Sequence, residues 1–283
     1  MKAINEIRIA LSSVWCFNNG EPMALEAQKK REFFFEDTSA EDVMPRTTLY
    51  YQPVVDSLTS QVMFCESLLR FLGPKDGEIM APAAFIQKAE TDGSIASLDA
   101  DVLSRVFQAL ASGPSLVLSL NVSCHSLEGS LWSERFYEGA RSFPKVLSRM
   151  IIEITETCHF SLSQGASAFL KDAQSMGARL ALDDVDEVSL SCLKNHIKTS
   201  IFSVDYIKIS RHLTMSLVES PYHHRKFSDL LSLARDHGIA AIVEGVETKR
   251  HCDALCAQGV SLQQGYYWGH PSPVPFVKST LPV

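Results

Sequence analysis

Short apolar runs in this sequence end, one after another, on a residue able to carry charge or hold a cation. Val62-Met63-Phe64-Cys65 ends in Glu66, Leu116 to Leu120 in Asn121, and Ile151-Ile152 leads to Glu153. Leu180-Ala181-Leu182 ends in Asp183-Asp184, Val204 to Ile207 in Lys208, Ile239 to Val243 in Glu244, and Leu262-Gln263 in Gln264. Carboxylates drawn together raise one another's pKa and cannot all stay ionised, a conflict that a divalent cation resolves. The donors are oxygen only, with no His or Cys at these positions, which favours Mg²⁺ or Mn²⁺ over Zn²⁺. An aspartate bridging two ions roughly 4 Å apart suits a centre that activates water and steadies the leaving oxygen of a phosphodiester. Lys208 could orient that water or neutralise developing charge.

Such residues meet only if the elements carrying them align. Strands are expected to begin near Leu49, Val62, Leu116, Met150, Arg179, Val204, Ile239 and Ser261. Helical periodicity falls between them, over Pro82–Glu90, Ser97–Ala111, Gln164–Met176, Tyr222–His237 and Thr248–Gln258. Thr248 is an expected N-cap, and Gly177, Gly238 and Gly259 stand where C-terminal caps would sit. The alternation predicts an α/β fold, a TIM-like (β/α)8 barrel, and in a parallel barrel the strand ends share the face that carries active sites. Neighbouring strand residues point to opposite sides, so Asp183 and Asp184 can serve one site only where the strand has ended. The bland alternative is a set of caps, solvated strand ends and surface ion pairs.

The chain has 283 residues, 46% of them hydrophobic, enough for one large core. Its net charge of −7 argues against a broad basic face for nucleic acid, so no DNA binding is expected; a small anion is still admissible beside a bound metal. The 7 cysteines are scattered and include no C-x-x-C pair, which reads as reduced thiols in a cytoplasmic protein. Cys252 and Cys256 beside His251 lack a second cluster to complete a zinc site. No apolar run reaches the ~20 residues of a membrane span. Residues 1–46 differ in texture and read as an N-terminal extension, either a packing element or a contact for a partner or second copy; residues 47–283 read as the barrel.

At these positions the chain resembles the EAL family of bacterial cyclic di-GMP phosphodiesterases. The resemblance rests on an ordered set: Tyr51-Gln52-Pro53-Val54-Val55-Asp56, Glu66-Ser67-Leu68-Leu69-Arg70, Leu120-Asn121-Val122-Ser123, Glu153-Ile154-Thr155-Glu156, Leu182-Asp183-Asp184, Asp205-Tyr206-Ile207-Lys208, Glu244-Gly245-Val246-Glu247-Thr248 and Gln264-Gly265-Tyr266. It implies a modified TIM barrel, often dimeric, that uses Mg²⁺ or Mn²⁺, two ions in all, to open cyclic di-GMP into linear pGpG. It further implies that Glu66, Asn121, Glu153 and Asp183 hold one metal, and that Asp183, Asp184 and Glu244 serve the second. Lys208 would contact the catalytic water and Glu244 is a candidate base. Gln52 and Arg70 would meet the substrate, with Glu156, Glu247 and Gln264 in support.

The chain departs from the family in two places. The signature Glu-Ala-Leu reads Glu66-Ser67-Leu68, a small change that leaves the metal ligand in place. After the Asp pair, Val185-Asp186-Glu187-Val188-Ser189-Leu190 replaces a glycine-containing turn, and an apparent insertion follows around Lys198–Ser203. The resemblance places the partner of Glu156 in that turn and couples the turn to the dimer interface. Three readings follow: a working phosphodiesterase; a weak or inactive relative that senses cyclic di-GMP or binds a protein through residues 1–46 or loop 185–190; and an unrelated Mg²⁺ barrel enzyme, which Gln52 and Arg70 do not fit.

Overall fold

The computed structural model describes residues 15–18, 21–24, 46–73, 78–80, 82–155, 162–186, 190–216 and 221–277. The chain divides into two units, Met1–Met44 and Pro45–Val283. In the first, β1 (Trp15–Asn18) and β2 (Glu21–Ala24) pair antiparallel.

The second unit opens with β3 (Thr47–Asp56) and β4 (Gln61–Leu72), with a short β5 (Ile79–Met80) along β4. There follow α1 (Ala83–Asp92), α2 (Ile95–Ser112), β6 (Leu118–Val122), α3 (Cys124–Glu128), α4 (Ser130–Ser142), a 3-10 turn (Pro144–Arg149) and β7 (Met150–Thr155). The remainder is α5 (Gln164–Ser175), β8 (Arg179–Val185), α6 (Leu190–Thr199), β9 (Tyr206–Ile209), α7 (Arg211–Ser216), α8 (Pro221–Asp236), β10 (Ala240–Val243), α9 (Lys249–Ala257) and β11 (Leu262–Gln264).

The strands run in the order β3-β11-β10-β9-β8-β7-β6-β4, and β4 pairs back with β3, so the sheet closes on itself as a TIM-like barrel. Every pairing from β4 through β6 to β11 is parallel, but β3 is antiparallel to both its neighbours. The cause is local. Residues 57–60 form a tight turn in which Asp56 accepts from the Leu58 N–H at 3.0 Å and the Thr59 hydroxyl at 3.2 Å. So short a link cannot cross over a sheet, and it returns the chain as a hairpin.

Alternation along the strands separates an outward layer of side chains from an inward one. Outward residues such as Leu118, Leu120, Ile152, Leu180, Leu182 and Ile207 pack against Leu103, Phe107, Trp132, Phe136 and Phe169 of the helices. A separate, smaller cluster of Val54, Phe64, Ile151, Ala181 and Ile242, flanked by Val117, Tyr206 and Leu262, fills the barrel interior as a floor.

The expected strands all form, and the expected helices form with Thr248 capping α9 by accepting the His251 N–H at 3.2 Å. Gly177, Gly238 and Gly259 take φ of 108°, 68° and 83° at helix ends. Helices α3, α4, α6 and α7 were not anticipated. The apparent insertion at 198–203 is the end of α6 and the turn after it. No helix among the described residues is long and apolar enough to cross a membrane.

Ile151 is completely buried in the floor. Ile151→Ala is expected to lower unfolding free energy by about 2–5 kcal/mol in denaturant titration; an unchanged midpoint would mean that the floor carries no weight.

Candidate metal centre

One inward step beyond the floor, the barrel turns polar. Residues i and i+2 of a strand share a face. Two positions after Phe64, Val117, Ile151, Ala181, Tyr206, Ile242 and Leu262 stand Glu66, Ser119, Glu153, Asp183, Lys208, Glu244 and Gln264. On the reversed β3 the corresponding residue comes two before Val54 and is Gln52. The register agrees, with Gln52 opposite Glu66, Glu66 opposite Ser119, and Asn121 opposite Glu153.

At the centre is the Lys208 ammonium, 1% exposed. It lies 2.7 Å from Glu153 Oε2, 2.9 Å from Asp183 Oδ1, 2.9 Å from Glu244 Oε1 and 3.2 Å from Glu66 Oε2. Burial alone would depress its pKa, but Asp183, Glu153, Glu244 and Glu66 outweigh burial and lift it well above the ordinary lysine value. The carboxylates divide according to their own partners. Burial raises Glu66 too, yet Lys208 and hydrogen bonds from Gln264 Nε2 (2.7 Å) and Asn121 Nδ2 (2.8 Å) leave it lowered. Among the described residues Glu153 has no such donor beyond Lys208, and burial pushes it up to about 8. Burial also raises Asp183, and brings Glu244 to about 7.

Carboxylate oxygens of Glu66, Glu153 and Asp183 lie within 4.8 Å of one another. Glu153 Oε1 and Gln264 Oε1 are buried there without a hydrogen-bond partner among the described residues. Hard oxygen donors, crowded negative charge and unspent lone pairs fit a divalent cation such as Mg²⁺ or Mn²⁺. Above them opens a cleft of about 310 Å³ reached by Gln52, Glu66, Asp183, Lys208, Glu244 and Gln264.

The remaining expected residues fall around this centre. Strand β8 does not end at the pair but runs through it to Val185, with a loss of register between Leu182 and Val185 and a φ of 59° at Asp184. The Asp184 carboxylate is exposed and stands outside the close trio. Arg70 follows Glu66 by four residues on β4, donates to Leu69 O at 2.9 Å and lies over the Tyr50 ring. Glu247 is on the cleft wall, where it pairs with Arg211 rather than with the trio. Glu156 lies outside the described residues. Arg211, Tyr266 and Ser119 were missed by sequence reasoning; for Ser119 the signal was its place two residues past Val117.

The small change in the signature has a structural cost. Ser67 is 3% exposed and its hydroxyl has no partner among the described residues. Ser67→Ala is therefore expected to raise stability by about 1 kcal/mol, measured by denaturant titration; a loss would show that the hydroxyl is satisfied.

A pH dependence also follows. Folded Glu153 keeps its proton up to about 8, whereas the unfolded residue releases it near 4.5, so the folded state binds more protons between these values and loses stability as pH rises. His196, lowered to about 4 by burial, gives the opposite slope, but only below its ordinary 6.5. In EDTA the melting temperature should fall from about pH 7 to 8, and Mn²⁺ should remove the slope by holding the carboxylates ionised. A flat metal-free profile would contradict this.

Comparison with known proteins agrees with this architecture. The EAL domain family model matches residues 44–271. The chain is 27% identical over 252 residues to "Probable cyclic di-GMP phosphodiesterase PdeG" of Escherichia coli K12, covering 84% of this chain and 48% of that protein. It is 31% identical over 233 residues to an "Uncharacterized signaling protein" of Caulobacter vibrioides, covering 80% and 27% respectively. It thus spans about half or less of the length of these relatives. The Xanthomonas citri FimX EAL domain in complex with c-diGMP superposes with a TM-score of 0.70 at 21% identity, over 81% of this chain and 88% of that one. The FimX EAL domain from Pseudomonas aeruginosa, bound to c-di-GMP, gives 0.70 at 22% identity, over 81% and 91%. With the family model spanning most of the barrel and its polar ring, the chain belongs to the EAL domain family.

Proposed function

We propose that this protein hydrolyses cyclic di-GMP to linear pGpG with Mg²⁺ or Mn²⁺, two ions in all. The observation that carries this reading is the convergence of Glu66, Glu153, Asp183 and Glu244 on Lys208 at the floor of an open cleft. The name of the Escherichia coli relative and the ligand of the FimX domains support the choice of substrate.

Glu66, Asn121, Glu153 and Asp183 would hold one cation, and Asp183, Asp184 and Glu244 the other. Bound there, such ions polarise a phosphodiester and lower the pKa of a water. Lys208 orients that water and Glu244 takes its proton as the oxygen bonds to phosphorus. The bond from phosphorus to one sugar oxygen breaks, and that oxygen acquires a proton to become a hydroxyl. Gln52 and Arg70 hold the dinucleotide, Gln264 and Glu247 brace the wall, and Glu156 keeps the supporting role that the family resemblance implies.

We place the reaction in the cytoplasm, in keeping with the unpaired thiols of Cys65, Cys252 and Cys256. Residues 1–46 and loop 185–190 are the segments we assign to contact with a second copy or a protein partner.

The test is incubation of the purified protein with cyclic di-GMP and Mg²⁺ or Mn²⁺, following pGpG by chromatography and binding by calorimetry with Ca²⁺. Metal-dependent pGpG is expected, with Glu66→Gln and Asp183→Asn each lowering kcat by roughly 100-fold or more. Turnover surviving in both variants would sink the site. Tight binding without product would make the protein a receptor, the outcome favoured if the glycine-free sequence after Asp184 prevents turnover.

A further inference from the structure

The side chains of the cleft by themselves carry an excess of negative charge, which bound cations would offset. Four of its lining side chains are acidic, Glu66, Asp183, Glu244 and Glu247, and the Lys208 ammonium is buried among carboxylates that already use its charge. One further cation lines the cleft, Arg211 in the first turn of α7. Its side chain is 63% exposed. Through Nη2 it pairs with Glu247 Oε1, and its other donors have no partner among the described residues.

This placement is built into the backbone. The stem of Arg211 crosses directly over Gly245, which has φ of 74°; a Cβ there would collide with Arg211 Cγ. The strap carrying Gly245 and Glu247 is fixed by Glu244 N–H to Ile209 O at 3.1 Å, Val246 N–H to Gln264 O at 3.0 Å, and Tyr267 N–H to Val246 O at 3.0 Å. A glycine therefore lets the arginine lie across the mouth, and an anchored glutamate fixes its tip.

We propose that Arg211 receives a phosphate of the incoming dinucleotide, with Glu247 as the positioning residue that holds the guanidinium over Gly245. A guanidinium fork matches phosphate geometry, and the donors not used by Glu247 are available to it. This rests on the reading of the cleft as a cyclic di-GMP site and adds the residue that determines affinity at its entrance. Because Arg211 acts before the reacting bond is reached, it contributes to binding and not to the chemical step.

The experiment compares wild type, Arg211→Gln, Arg211→Lys and Glu247→Gln, measuring kcat and KM with Mn²⁺ and the Kd for cyclic di-GMP with Ca²⁺. Arg211→Gln is expected to raise KM and Kd by roughly 10- to 100-fold, the worth of a charged hydrogen bond, while kcat stays within about twofold. Arg211→Lys should recover part of the loss, and Glu247→Gln should weaken binding less than Arg211→Gln. The Arg211→Gln penalty should shrink at high salt, which a merely structural role would not produce. Unchanged KM and Kd in an active Arg211→Gln protein would overturn the proposal and leave the reaction standing, as would a fall confined to kcat. A wild type that neither binds nor hydrolyses the dinucleotide would overturn both.

Discussion

Everything at the mouth of this barrel depends on one buried ammonium. Four carboxylates point at Lys208 from four different strands or strand ends, and without a positive charge between them they would repel one another and the sheet that carries them. The same arrangement prepares the site for metal. Carboxylates already gathered and dehydrated around one cation need little rearrangement to accept others, whereas an unformed site would have to assemble against its own repulsion. Glu66, lowered by Lys208 and two amide donors, and Glu153, raised by burial, are shifted in opposite directions, because a single lysine does not offset the burial of all its neighbours.

The second constraint is register. The apolar floor and the polar ring are separated by one inward step on every strand, so sliding any strand by one residue would send its polar group into the helix layer and an apolar group into the cleft. Fold and chemistry are therefore specified by the same alternation. Ile151 lies in the apolar floor, and Glu153, two residues later on the same face, meets Lys208 above it.

This is also why so much was legible in advance. Apolar runs closing on Glu66, Glu153, Asp183, Lys208, Glu244 and Gln264 are strand ends by periodicity, and closure of the barrel brings them together. What was not legible depends on contacts across the fold. The strands near Leu49 and Val62 could be read, but not that the four residues between them reverse β3 and set it antiparallel to both β4 and β11. The pairing of Glu247 with Arg211 follows from the left-handed turn at Gly245, which sequence spacing does not encode. Helix α4 was missed although Trp132, Phe136 and Ala140 form a buried stripe at helical spacing, because no strand-ending signal drew attention to it.

The reversal of β3 has a further consequence for traffic along the chain. In an all-parallel barrel the polypeptide enters its first strand at the closed end, remote from the chemistry. Here β3 runs from the mouth toward the floor, so the entry point at Arg46, whose carbonyl accepts the Leu72 N–H at 2.7 Å, is on the rim of the cleft. The first strand of the barrel therefore begins within reach of the polar ring and not at the far end of the barrel. Gln52 and Glu66 are cross-strand neighbours in that same hairpin, so a single turn of four residues sets two members of the ring against each other.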